Sequence, residues 1–223
     1  MRVLSILFLF ACAGLHAQSP WQLGFLPEVT VSHKLSDGWK VTGQIESMQQ
    51  GWRGTFGEEG EADYHYIRTD LTTVASYKWH PLWSLAGGFL YRFTEGVTVQ
   101  RFLQQVAAVQ RFERLRLGHR LRTDQTFRNE APEYRLRYRL SAEWPLQGSR
   151  VDAKEWYLIS SVEQVGSWQA QSFDWEQRLV SSLGYYFDDS HKLEVGFDYR
   201  WDQFLNEAGR HRWWWTLSYF VNI

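Results

Sequence analysis

Seven arginines recur at even spacing along three stretches of the chain: Arg116, Arg120 and Arg122, then Arg135, Arg137 and Arg139, and further on Arg178. On the same alternating side of their segments stand Asp124, Glu143, Glu163, Glu176, Glu194 and Asp198. A guanidinium keeps its charge in a dry setting, and its planar donors match carboxylate and phosphate oxygens. Two chemistries follow. An arginine ladder can pass a solute anion from one guanidinium to the next. Alternatively, the arginines pair with carboxylates on neighbouring segments and fill the space between them. Seven cations nearly balance six anions, which favours the paired network, because a permeation track works with an uncompensated excess. Arginine dominates from Arg116 to Arg139 and acids dominate from Glu155 to Asp202, which predicts a basic wall facing an acidic one across an enclosed space.

Catalytic sets are harder to find. His119 and Ser160 share the apolar phase, but another strand lies between theirs and no acid is placed to orient the imidazole. Asp202 and His211 bracket one connection and can approach each other, yet two residues do not define a site. His33, His80 and His191 fall at or near turns, His65 and His211 beside long connections, and none shows metal-ligand spacing. The expectation is no catalytic residue, no metal and no cofactor, with an outer-membrane lipid hydrolase as the weaker alternative. The Gly- and acid-rich stretch from Gln49 to Ala62 is a candidate for contact with a partner outside the cell.

The elements that must position these charges read as strands. From residue 212 to the end, Trp213, Trp215, Leu217, Tyr219, Val221 and Ile223 alternate with Arg212, Trp214, Thr216, Ser218, Phe220 and Asn222. Tyr134, Leu136, Tyr138, Leu140, Ala142 and Trp144 oppose Arg135, Arg137, Arg139, Ser141 and Glu143 in the same way. Leu193 to Trp201 and Trp175 to Phe187 repeat the pattern, as does Leu115 to Leu121. Leu23–His33, Trp39–Met48, Asp63–Trp79, Trp83–Phe93, Val97–Arg111 and Glu155–Gln164 complete about eleven segments. Short connections fall at Ser36–Gly38, His80–Pro81, Glu113–Arg114 and Asp188–Ser190. Longer ones cover Gln49–Ala62, Arg128–Pro132, Pro145–Lys154, Val165–Phe173 and Gln203–His211.

The front of the chain reads as an export signal: Met1 and Arg2, an apolar stretch from Val3 to Gly14, and a small-residue cleavage site at Leu15-His16-Ala17. Cys12, the single cysteine, lies inside it, so the mature domain from 18 to 223 carries no disulfide. Phe10 and the short run before Cys12 argue against a lipoprotein box. Thirteen Trp, eleven Tyr and fourteen Phe coexist with a negative mean hydropathy. No other segment is long and apolar enough for a membrane helix. A formal net charge of −1 gives no reason to expect a nucleic-acid partner.

Export, alternation and aromatics together predict an all-β, antiparallel transmembrane β-barrel in the bacterial outer membrane, with the lipid bilayer and small anionic solutes as partners. A secreted soluble barrel would share the alternation with the faces reversed. Trp79, Trp83, Trp144, Trp156, Trp201 and Trp213 sit at segment ends, as interfacial girdles require. Nineteen Arg against five Lys suit a crowded interior rather than a wetted exterior. Bacterial single-chain barrels have even strand numbers, so the reading is twelve strands, with ten as the alternative. A hidden turn in Asp63–Trp79 or a break at Pro27 would supply the twelfth. Function then reads as a structural barrel or narrow passive channel, the alternative being a porin for anions or oligosaccharides.

The stretch Gly118-His119-Arg120-Leu121-Arg122-Thr123-Asp124-Gln125-Thr126-Phe127, followed by Tyr134 to Leu140 and Trp144-Pro145-Leu146, resembles the bacterial family of domain of unknown function 2490. Glu155-Trp156-Tyr157-Leu158, Glu163, Phe173-Asp174, Arg178-Leu179, Leu183-Gly184-Tyr185 and His211 are similar to its later landmarks. The family pattern usually has Glu where Asp124 stands and Arg where Thr126 stands, so here one acid is shorter and one lumen cation is missing from any ion pair the family makes there. The resemblance implies an outer-membrane barrel of Gram-negative bacteria with no assigned activity.

Overall fold

A computed structural model describes residues 19–127, 131–203, 205 and 209–223. The proposed signal segment, with Cys12, lies outside the described residues. Those described form an all-β closed barrel of eleven strands. In chain order these are β1 (Pro20–Ser36), β2 (Trp39–Thr55), β3 (Glu61–His80), β4 (Trp83–Thr94), β5 (Val97–Arg111) and β6 (Arg116–Phe127). There follow β7 (Glu133–Pro145), β8 (Glu155–Gln169), β9 (Ser172–Asp188), β10 (His191–Asp202) and β11 (Arg210–Asn222).

Every consecutive pair is antiparallel, and each strand neighbours the next in sequence. The sheet closes through a parallel ladder between β1 and β11, running from Trp21↔His211 to Ser32↔Asn222. That ladder corrects the even count expected from sequence: a first and last strand that run in the same direction close an odd-numbered barrel. β3 hides no turn; it runs unbroken for 20 residues. Pro27 does not split β1 either. The β1–β2 ladder skips Leu26 and Pro27 and resumes in the same register at Glu28↔Glu46, while Pro27 stays paired to Leu217 on the other side. A residue without an N–H is tolerated because only one of its two ladders is interrupted.

The four short connections foreseen from sequence all lie on the rim where β11 ends, here the C-terminal rim. Four of the five longer ones lie on the opposite, N-terminal rim, and Pro145–Lys154 is the exception. Two of them are shorter than the sequence suggested. β2 continues past Met48 to Thr55 through register shifts at Met48/Gln49 and Gln50/Trp52, so bulges, not a loop, break its alternation. β8 and β9 likewise extend until only Ala170 and Gln171 separate them.

Alternation resolves into two opposite faces. Leu136, Tyr138, Val195, Leu217, Ile45 and Phe102 are exposed on the outside, whereas Arg137, Asp198, Arg200, Asp124 and Glu163 are buried within. A soluble barrel would have the reverse. Trp79, Trp83, Trp144 and Trp156 lie near the C-terminal rim, Trp201 and Trp213 near the N-terminal rim. On the N-terminal rim His211 stacks between Trp201 and Trp213, at centroid distances of 5.8 and 6.0 Å.

The interior is not wholly polar. Trp214, Met48 and Leu26 form a small buried cluster where β11, β1 and β2 meet. The Trp214 ring occupies the space beside Gly24, where a Cβ would stand 2.6 Å from it and 2.1 Å from the Gln49 carbonyl oxygen. Gly184 does the same for Tyr157, whose ring would lie 2.2 Å from an added Cβ. Both glycines let a large ring lie flat against the inner wall.

Candidate functional site

The barrel encloses a cavity of about 1170 Å³. Among the described residues its wall carries twelve arginines and nine carboxylates, and no lysine. Ala131, Gln169, Ala170, Ser172, Asp174 and Gln203 carry the lining out to the N-terminal rim. Inward it runs to Ile159, Glu194, Ser218 and Phe220, and no described turn residue of the C-terminal rim lines it. A second cavity, about 560 Å³, lies at that rim and includes Arg116 and Glu143.

Glu163 is the focus of the network. It is 1% exposed and sits on β8, with Arg178 directly across on β9 and Arg139 directly across on β7. Arg139 Nε donates to Oε2 at 2.8 Å and Arg120 Nη2 at 2.9 Å. Arg137 donates to Oε1 through Nε at 3.2 Å and through Nη2, and Arg178 Nη1 lies 3.6 Å away. Four strands thus converge on one carboxylate. Asp124, fully buried, accepts from Arg122 Nε at 2.6 Å and from Arg137 Nη1 at 3.4 Å. Arg137 therefore links the two buried acids, and the pairs at Asp124 form despite the departure from the family pattern.

Other arginines take the acid two residues away on their own strand. Arg135 grips Glu133 through Nε and Nη2, both at 2.9 Å. Arg178 bonds Glu176 at 2.8 Å, and Arg200 bonds Asp198 at 2.7 Å. Positions i and i+2 share a face of a strand, and the long arginine side chain reaches back to its neighbour. Arg212 reaches Glu176 at 3.3 Å and Asp202 at 2.8 Å, and Asp202 also takes Arg210 at 2.7 Å. All but one of the arginines that line the cavity among the described residues pair locally with a carboxylate. The expected division into a basic and an acidic wall does not arise: Arg178 and Arg200 stand on the side expected to be acidic.

Of the residues singled out from sequence, Arg120, Arg122, Asp124, Arg137, Arg139, Glu163, Glu176 and Arg178 join one connected network, while Arg135 pairs with Glu133 and Asp198 with Arg200 beside it. Glu194 faces the cavity but accepts from the Tyr157 hydroxyl at 2.7 Å rather than from an arginine. Arg116 and Glu143 pair with each other at 3.2 Å, apart from the rest. Sequence reasoning missed a third cluster. Arg92 forks onto Asp70 at 2.7 and 2.6 Å, and Arg68 bridges Asp70 and Glu46 at 3.3 Å each. The signal was the same period-2 phase, Arg68-x-Asp70 and Arg92, inside the segments Asp63–Trp79 and Trp83–Phe93.

The enzyme candidates do not assemble. His119 bonds the Tyr138 hydroxyl at 2.9 Å and Ser160 bonds Ser181 at 2.9 Å, separately on the outer face. His211 bonds the Tyr199 hydroxyl at 2.8 Å, while Asp202 turns inward to its arginines, so the two approach from opposite faces. Among the described residues no three His, Cys, Asp or Glu side chains gather in a metal-binding group.

No curated protein and no solved structure shows significant similarity to the chain. The profile of one family, described as "Protein of unknown function (DUF2490)", matches residues 23–212. That match takes in β1 from its fourth residue, the whole charged lumen and the opening of β11, and the chain belongs to the DUF2490 family.

Proposed function

We propose that this protein is an integral outer-membrane β-barrel with a charged, Arg-rich lumen, acting as a structural element or narrow passive conduit without catalytic chemistry. The observation that carries this is the inversion of the barrel: Leu136, Tyr138 and Val195 lie outside at 43, 44 and 51% exposure, while Arg137 and Asp198 lie inside at 8 and 5%. Apolar residues on the convex face have no favourable contact in water and a matching one in hydrocarbon. Strands of 12 to 20 residues exceed the roughly 9 to 11 that cross a bilayer at a tilt. Tryptophans at both rims fit the two interfaces. The apolar segment before residue 18 supports export.

Of these two roles the structural one fits better: the lumen is a well and not an open pore, supported by local pairing of its charges and by a lining that reaches the N-terminal rim only. The test is reconstitution of the purified protein in a planar bilayer, with cell fractionation alongside. The expected result is a heat-modifiable band in the detergent-extracted outer membrane and little or no stepwise conductance. Recovery in the soluble periplasmic fraction without detergent would overturn the placement. One observation favours a second reading, the anion porin: the wall carries twelve arginines to nine carboxylates. That reading requires stable current steps that change when Arg135, Arg137 or Arg139 is neutralised.

A further inference from the structure

We infer that Arg101 forms the centre of a binding subsite for a solute carboxylate at the wall of the well, an inference that rests on the reading of the lumen as a well open at the N-terminal rim. Arg101 lies on β5 and lines the cavity, yet it is 3% exposed. Its Nε donates to the Thr126 hydroxyl at 2.8 Å. Its Nη2 is buried without a partner. The other arginines of the cavity wall each hold a carboxylate, and Arg101 alone among the described ones holds none. A charged donor left unpaired in so dry a place is costly unless something completes it.

The surroundings define what that something is. Across the ladder Arg101 faces Leu90 on one side and Thr126 on the other, with the apolar Val99 and Leu103 flanking it on its own strand. The charges that act on it are Arg135, Arg92, Arg137 and Asp124. Arg92 is satisfied by Asp70, Arg135 by Glu133, and Asp124 is committed to Arg122 and Arg137. Arg101 is left with one uncompensated positive charge and a planar edge of donors, against an apolar floor. A monoanionic carboxylate with an apolar body matches all three features. A phosphate dianion would bring a second charge that no free cation here balances.

The experiment uses the full mature protein refolded in detergent micelles, its barrel verified by heat-modifiable mobility. Benzoate is titrated at constant ionic strength, and the unfolding midpoint is followed by tryptophan fluorescence. Saturable stabilisation is expected for the unaltered protein. It should weaken at least about tenfold in Arg101→Met, about the loss of a single charge-assisted contact, and stay unchanged in Arg114→Met, a change on the exposed C-terminal rim. If Arg101→Met does not fold, Arg101→Lys carries the test, since it keeps the charge and gives up the fork, and the same tenfold weakening is expected. Equal stabilisation in the variant that folds, no stabilisation in the unaltered protein, or a stronger response to inorganic phosphate than to benzoate would each overturn the subsite. A folded, heat-modifiable barrel that ignores benzoate would overturn the subsite while leaving the membrane reading intact.

Discussion

Two buried charges three strands apart round the same lumen are treated in opposite ways. Glu163 on β8 is surrounded by four guanidinium groups from β6, β7 and β9, so its charge is met several times over. Arg101 on β5 has one neutral hydroxyl and no carboxylate. The first is a strut: remove it and four cations face one another across a dry space. The second is an unfinished contact, contributing little to the wall and open to a partner. Equal burial therefore says nothing about role; the count of opposite charges within reach decides it.

The largest effect should come from breaking the strut. Glu163→Gln keeps the shape and removes the charge, which leaves Arg120 and Arg139 without a carboxylate while Arg137 keeps Asp124 and Arg178 keeps Glu176. Loss of one member of a buried ion cluster typically costs about 3 to 5 kcal/mol. Urea unfolding in micelles, followed by tryptophan fluorescence, should show a loss of that size. A change below about 1 kcal/mol would mean that the four arginines do not depend on Glu163.

Next in size is a charge placed on the wrong face. Leu136→Arg or Val195→Arg should impair membrane assembly by about 2 to 4 kcal/mol at mid-bilayer depth. Both side chains are exposed on the outer face, so no packing is disturbed and the effect isolates contact with lipid. Normal assembly of both variants would remove the bilayer from the account.

Arg137→Leu sharpens the comparison from the cation side. Arg137 bonds both Asp124 and Glu163, but Asp124 keeps Arg122, and Glu163 keeps Arg120, Arg139 and Arg178. Redundancy should hold the loss to about 1 to 3 kcal/mol, the worth of hydrogen bonds to charged groups. A loss equal to that of Glu163→Gln would show that the cluster is a chain with Arg137 as its single link.

Much of this could be read from the residues alone. Alternation placed Tyr134 to Trp144 and Leu193 to Trp201 on the outer face and their charged partners inside, because period 2 is the one signal a barrel strand cannot lose. The strand between Met48 and Thr55 was not legible: a bulge inserts a residue, the phase slips, and alternation reads as a loop. Strand parity was not legible either, since it depends on whether β1 meets β11 in the same direction, and that is a property of closure and not of either strand. The imagined walls of opposite charge failed for a reason the sequence did contain. Glu133-x-Arg135, Glu176-x-Arg178 and Asp198-x-Arg200 place acid and base two residues apart, where they meet on one strand before any field can build across the lumen. The membership of Glu163 in a four-arginine cluster needed the register, which brings β6, β7 and β9 to one atom pair.

The smallest effect is expected at Arg101, and it is the one that separates the two regions most cleanly. Arg101→Met exchanges an unpaired guanidinium for an unbranched apolar chain of comparable length, among Leu90, Val99 and Leu103, all at 5% exposure or less. The change forfeits one hydrogen bond to Thr126, whose hydroxyl can rotate, and it removes the desolvation cost of a charge that no carboxylate of the wall bonds. The two contributions oppose each other, so in buffer free of carboxylate solutes the stability should stay within about 1 kcal/mol of the unaltered protein or rise above it. The same urea titration used for Glu163→Gln measures it. A loss of more than about 2 kcal/mol would assign Arg101 to the framework beside Glu163, because only a charge already compensated in the folded barrel costs that much to delete.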